Sequence, residues 1–198
     1  MFPSGKEKPI DVFGIWLKEA EERKIVNHNK VCLATASKDG VPSSRMVLLK
    51  DYSEDGFTFY TNLNSHKGRD LKENPNVSLC FYWEEIGKQI RIDGIAEQVS
   101  DEEADLYFAS RPRQSQLGAW ASNQSAELKG GTKELLANVA KEGIRWGIGN
   151  VERPPHWTGF RVKQKSIEFW MQGDFRIHKR RKFIFDIDGS YESIILSP

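Results

Sequence analysis

At 198 residues the chain is long enough to bury one substantial core, and 29 Lys+Arg against 28 Asp+Glu leave a formal charge of +1. No global field draws it to nucleic acid or anionic lipid, so any anion binding is local. Cys32 and Cys80 sit in apolar runs without metal-ligand spacing and read as small buried hydrophobes; no signal-peptide pattern opens the chain and no apolar run approaches the roughly 20 residues that span a bilayer, so a reducing cytoplasm is expected.

Residues 10–24 place Val12, Phe13, Trp16, Leu17 and Ala20 at helical spacing with Lys18, Glu19, Glu21 and Glu22 opposite, which predicts an amphipathic helix. The pattern then turns β-rich: VCLATAS (31–37), a turn at Gly40 and VPSSRMVLLK (41–50) read as a hairpin, and SEDG (53–56) turns into FTFYTN (57–62). Ser65 caps a short helix through Leu71 that Asn74-Pro75 ends, because the residue before proline is pushed out of the α region. VSLCFYWE (77–84) and KQIRIDGIAEQV (88–99) alternate as a half-buried antiparallel pair with Ile90, Ile92 and Ile95 inward. A capping box from Ser100 to Glu103 starts a helix that Pro112 stops, and further helices are predicted at 113–121 and 132–141. Residues 143–155 read as loop, and strands return at 156–163, 166–172, 180–186 and 191–196.

Six to eight antiparallel strands interrupted by short helices predict an α+β fold on a closed or nearly closed β-barrel, since closure removes exposed strand edges. Gly147-Ile-Gly149 lacks the third glycine and the preceding strand of a dinucleotide-binding turn, which disfavours a parallel doubly wound sheet. A single domain over 1–198 is expected, with a helical insert at about 100–142.

Metal and serine-hydrolase chemistry find no support: His28, His66, His156 and His178 are scattered and there is no GxSxG. The stretch SRPRQSQLGAWASNQS (110–125) gathers Arg111, Arg113, Ser115, Gln124 and Ser125 around Leu117, Ala119 and Trp120. That is an inventory for binding phosphate oxygens, although the same residues suit a surface loop with a solvated Arg pair. Arg45 and Lys50 lie five apart on one predicted strand, so they face opposite sides unless a bulge unites them. Tyr60-Thr61 ends the next strand, and His66-Lys67 opens a helix whose N-terminal amides favour an anion. Arg176 and His178 share a side in extended geometry, and the KRRK run at 179–182 reads as a solvated strand edge rather than a nucleic-acid signal.

Five segments in order, RMVLLK (45–50), FYTN (59–62), SRPRQSQLGAWASNQS (110–125), IEFWMQG (167–173) and RIHKR (176–180), closely resemble the pyridoxamine/pyridoxine 5'-phosphate oxidase family over about residues 34–198. The resemblance implies a Greek-key split β-barrel, a homodimer with FMN at the subunit interface, and oxidation of pyridoxamine and pyridoxine 5'-phosphates by dioxygen to pyridoxal 5'-phosphate and hydrogen peroxide. It implies FMN contacts from Arg45, Met46, Val47, Leu48, Lys50, Tyr60, Thr61, His66, Lys67, Gln89, Gln124, Ser125, Trp170 and Arg180. It further implies that Lys50, Tyr107, Arg111 and Ser115 hold the substrate phosphate, with Arg176 and His178 against the pyridine ring as catalytic residues. His66 stands where the family commonly has Arg, which implies weaker and more pH-dependent FMN binding. The chain starts close to its first helix, without the basic N-terminal arm many members use to cover the substrate, and residues 126–155 depart most from the family pattern. A split-barrel oxidase of another substrate, such as a phenazine precursor, and a non-catalytic flavin or pyridoxal-phosphate binder are the competing readings.

Overall fold

The computed structural model describes residues 2–198. Its first helix, α1 (Pro9–Glu22), has Pro at the start, where the missing N–H costs nothing, and ends two residues earlier than expected because Lys24 turns left-handed at φ 57°. All strand pairings are antiparallel: β1 (Lys30–Ala36), β2 (Pro42–Leu48), β3 (Asp51–Ser53), β4 (Gly56–Asn62), β5 (Asn76–Trp83), β6 (Lys88–Gln98), β7 (Trp157–Met171), β8 (Lys179–Phe185) and β9 (Tyr191–Leu196). The order β2-β1-β5-β6-β7-β4-β3 curls until β2 approaches β4, although four strands separate them, and β8 and β9 extend the sheet from β7. The curled sheet flanked by short helices is the expected split barrel, with nine strands because the SEDG turn is flanked by a short strand, β3, on its upstream side.

The two C-terminal strands expected at 156–163 and 166–172 are one fifteen-residue strand, β7. Its pairing with β6 slips by one residue at Asp93/Gly94, leaving Lys165 as an extra residue. Because that extra residue sits in β7, the alternation of β6 is unbroken. Ile90 and Ile92 are buried as expected, but Ile95 falls on the other face and Ala96 turns inward.

α1 packs its apolar face on the barrel core. Phe13 packs edge-on against Phe57 (4.9 Å) and Phe81 (5.3 Å), and Trp16 against Phe169 (5.2 Å), all fully buried. Each such side chain contributes about 1.5–3 kcal/mol through removal from water. Lys88, buried among them, is neutralised by Glu19 at 2.6 Å and lies 4.6 Å from the Trp16 ring centroid.

Helix α2 (His66–Glu73) begins as expected: the Ser65 hydroxyl accepts from the Gly68 amide at 3.2 Å. A Cβ on Gly68 would fall against the backbone carbonyls of Asn62 and Leu63. Gly68→Ala therefore displaces this helix start and is expected to destabilise the protein by about 1–3 kcal/mol, read as a lowered urea midpoint. Helix α3 (Asp101–Ser110) keeps only half of its capping box, since the Glu103 carboxylate turns to Arg161 at 2.9 Å. Helix α4 (Arg113–Ala121) matches expectation. Helix α5 (Gly131–Trp146) runs five residues beyond it, because Gly143 is tolerated inside the helix and the break comes at Gly147, φ 48°.

The cysteines are half-buried rather than buried, because they occupy the face of β1 and β5 that alternates with the barrel interior.

Candidate functional site

A cleft of about 770 Å³ opens where β2 meets β4, and it is walled by α2, by the α3–α4 corner and by the loop after α4. Arg45, Met46, Val47, Leu48, Lys50, Tyr60, Thr61, His66, Lys67, Tyr107, Arg111, Ser115, Gln124 and Ser125 all line it. Arg45 and Lys50 reach the same cleft without a bulge, because β2 stops at Leu48. The Leu49 amide donates to Asn29 and the Lys50 amide to Thr58, so the chain crosses from the β1 side to the β4 side between them.

At one end, cations converge on a nearly carboxylate-free surface. Arg45 donates to the Thr35 hydroxyl at 2.6 Å and to Ser43 Oγ at 2.7 Å, and Thr35 donates to the buried Asp70 carboxylate at 2.6 Å. Asp70 also lies 3.8 Å from Arg45 and 3.6 Å from His66 Nε2. Burial holds the Arg45 guanidinium below its ordinary value, with Asp70 opposing. Lys67, 8% exposed, donates to Ser65 Oγ (3.1 Å) and Gln124 Oε1 (3.0 Å) and has no carboxylate partner among its hydrogen bonds. Ser125, at φ 70°, accepts from the His66 amide at 3.2 Å and so fastens the loop to the start of α2.

Burial, and secondarily the Arg45 charge, lower the Lys67 ammonium to about 8 from 10.5. Between those values the unfolded chain binds the proton that the folded chain has lost, so this residue makes stability rise with pH from about 8 to 10.5, and the benefit disappears as pH falls through 8. Cofactor-free protein is expected to gain stability relative to Lys67→Met between pH 7.5 and 10 in urea titrations. An unchanged difference refutes the assignment.

At the other end Arg111 lies against Trp157 (4.8 Å) and Phe108 (5.4 Å), and its buried Nη1 has no hydrogen-bond partner among the described residues. Burial lowers this guanidinium too. An orphaned, desolvated donor beside Ser115 and Lys50 calls for an anionic oxygen. Tyr60 and Tyr107 stack at 3.9 Å and continue onto Trp157, forming a flat aromatic wall that meets Arg111 at Trp157. Burial pushes the Tyr60 hydroxyl up to about 12, so it stays protonated. Gln116 fixes the α3–α4 corner by donating to the carbonyls of Phe108 and Ala109, and Arg113 donates to those of Gly147 and Gly149, which accounts for its having no ligand.

Gln89, Trp170, Arg176, His178 and Arg180 are outside this cleft. Gln89, Trp170 and Arg180 form one cross-strand row, the His178 ring lies tilted against Trp170 at 4.7 Å, and Arg180 pairs with Glu168 at 2.8 Å. Tyr60 is opposite Gly159, eleven residues along β7 from Trp170, which is roughly 35 Å of strand at about 3.3 Å per residue. Sequence reasoning missed Ser43, Trp157 and Asp70. Only Asp70 carried a local signal, at i+4 from His66 on a capped helix.

A family model described as pyridoxamine 5'-phosphate oxidase matches residues 17–142, and one described as the pyridoxine 5'-phosphate oxidase C-terminal dimerisation region matches 157–198. The chain is 44% identical over 194 residues to a pyridoxine/pyridoxamine 5'-phosphate oxidase of Pelagibacter ubique, covering 98% of this chain and 93% of the relative. It is 49% identical over 178 residues to that of Maricaulis maris, covering 90% and 80%. Among solved structures, PhzG from Burkholderia lata 383, in complex with tetrahydrophenazine-1-carboxylic acid, superposes with a TM-score of 0.93 at 31% identity, covering 100% of this chain and 98% of that one.

Proposed function

The chain belongs to the pyridoxamine/pyridoxine 5'-phosphate oxidase family, and from that premise we propose that it oxidises pyridoxamine 5'-phosphate and pyridoxine 5'-phosphate with dioxygen, releasing pyridoxal 5'-phosphate and hydrogen peroxide. The reaction belongs to vitamin B6 biosynthesis and salvage. The observation that carries the substrate assignment is the orphaned Arg111 donor in the cleft, which fits a phosphate ester. A substrate without phosphate, as in the phenazine reading, would leave Lys50, Tyr107, Arg111 and Ser115 without a common purpose.

The cofactor is FMN, and the cleft fits it. Two groups of cations and hydroxyls in one cleft accommodate one phosphate at Arg45, His66, Lys67 and Ser125 and a second, belonging to the substrate, at Arg111 and Ser115, with the Tyr60–Tyr107 stack offering a flat face to the rings. When bound, FMN would supply the two-electron redox chemistry that links the substrate's C4' carbon to dioxygen. The chain's own share is positioning. Arg111 and its neighbours hold the remote phosphate and thereby fix the reacting carbon, so substrate lacking phosphate is expected to lose turnover as well as affinity. Lys67 binds phosphate in its protonated form, so FMN affinity weakens as pH rises through about 8.

Gln89, Trp170, Arg176, His178 and Arg180 complete the site from a second copy. The length of β7 between the two groups and the match of residues 157–198 to a dimerisation region support a homodimer with FMN at the interface. We place the protein in the cytoplasm, a reducing compartment that suits its two free thiols, Cys32 and Cys80; among the described residues no helix is long and apolar enough to cross a membrane.

The direct test is aerobic incubation of FMN-loaded protein with each phosphate, following aldehyde absorbance and peroxide. Absence of product from both sinks the reading. Ligand binding without flavin bleaching under anaerobic substrate would instead indicate a storage protein.

A further inference from the structure

Cys32 is the Cα partner of Met46 across β1/β2 and of Cys80 across β1/β5. Met46 lines the cleft, so the two thiols stand one and two strands from its wall, on the sheet face that alternates with the barrel interior. Both are free and half-buried. Opposed residues of an antiparallel pair have Cα atoms about 4.5–5.5 Å apart, inside the roughly 4.4–6.8 Å that a disulfide bridges. Their Cβ atoms, about 4.5–5.5 Å apart, stand wider than the roughly 3.5–4.5 Å of a relaxed disulfide. A bond here is within reach but draws two strands together, which is the character of reducible disulfides rather than structural ones.

We propose that Cys32 and Cys80 are a redox modification site, closing a reversible cross-strand disulfide at the expense of the hydrogen peroxide released in the neighbouring cleft. The proposal rests on the oxidase reading for the source of its oxidant. The Cys32 thiolate attacks one peroxide oxygen and the O–O bond breaks, leaving a sulfenic acid and a hydroxide that is protonated to water. Cys80 Sγ then attacks the Cys32 sulfur, the S–O bond breaks, and a second water leaves with the Cys80 proton. Two thiols lose two electrons and one peroxide gains two, giving one disulfide and two waters. Cys32 reacts first because it is nearer the cleft; burial, and next the Cys32 charge, raise the Cys80 thiol, which keeps it protonated and leaves the first attack to Cys32. A dithiol or glutathione reverses the bond.

The test is mass spectrometry of FMN-loaded protein, alkylated under denaturing conditions after many aerobic turnovers of pyridoxine 5'-phosphate without catalase. The expected product is an intrachain peptide pair joining Cys32 to Cys80. It disappears with dithiothreitol, with catalase during turnover, and in Cys32→Ser and Cys80→Ser. A parallel arm adds hydrogen peroxide without substrate. Linkage in that arm alone upholds the site and counts against the oxidase reading. Both thiols still alkylated in both arms, or linkage only between protomers, overturns the proposal.

Discussion

Arg176→Ala is expected to lower turnover by about 100-fold or more while FMN stays bound, measured as kcat against the flavin absorbance of the purified protein. Arg176 is exposed in the single chain, in a 3-10 turn at Asp174–Arg176 where it and Phe175 both adopt left-handed backbone, at φ 64° and 54°. Such conformations cost roughly 1–2 kcal/mol per non-glycine residue, and they persist where they aim a side chain that function needs. Its place near His178, at the end of the Gln89–Trp170–Arg180 row, puts it with the residues proposed to reach a second copy's cleft. A guanidinium beside the reacting carbon stabilises charge that develops only in the transition state, so its loss falls on kcat rather than on cofactor binding. Subunit mixing sharpens the test. Arg45→Ala and Arg176→Ala dimers, each impaired alone, are expected to recover about a quarter of wild-type sites when exchanged at equal amounts, since half of the dimers then hold one intact cleft. No recovery would place both residues in the same chain's cleft and remove the two-copy site.

Arg45→Ala should raise the FMN dissociation constant about 10- to 100-fold, read by quenching of flavin fluorescence. Charge-assisted hydrogen bonds to a phosphate are worth about 1.5–3 kcal/mol, and 1.4 kcal/mol is tenfold in affinity. The same change leaves Asp70, 4% exposed, with Thr35 and a 3.6 Å approach from His66 as its remaining partners, so the apoprotein should also lose stability. Arg45→Lys separates the two effects. It restores charge near Asp70 but not the fork that reaches Thr35 and Ser43 together, so stability should recover more than affinity. Unchanged FMN binding in Arg45→Ala would dismiss the proposed phosphate cradle.

Local chemistry was legible wherever one element decided it. Ser65 caps α2, Ser100 caps α3, and α4 has its expected bounds, because each depends on a few residues and their own backbone amides. Errors arose where a partner strand decided. Whether Ile95 or Ala96 turns inward depends on which strand of the β6/β7 pair carries the extra residue, and neither strand alone records that Lys165 does. Gly143 was misread for a related reason: a glycine's local preference against helix is modest, and α5 packs against α4 through it, with Leu117 beside the position its Cβ would occupy.

The sequence by itself determined the chemistry of this protein: which cations, hydroxyls and aromatics are present, on which strands and helix starts they sit, and through ordered motifs, which family they belong to. Only the tertiary structure decided which of them share a cleft. Curling of the sheet brings β2 to β4 across four intervening strands and gathers fourteen of the expected residues around one space, while the extended length of β7 carries Gln89, Trp170, Arg176, His178 and Arg180 away from it. Side-chain identity is a local property, but proximity across a barrel follows from strand order and curvature, which arise from the packing of α1 and the strands into one core.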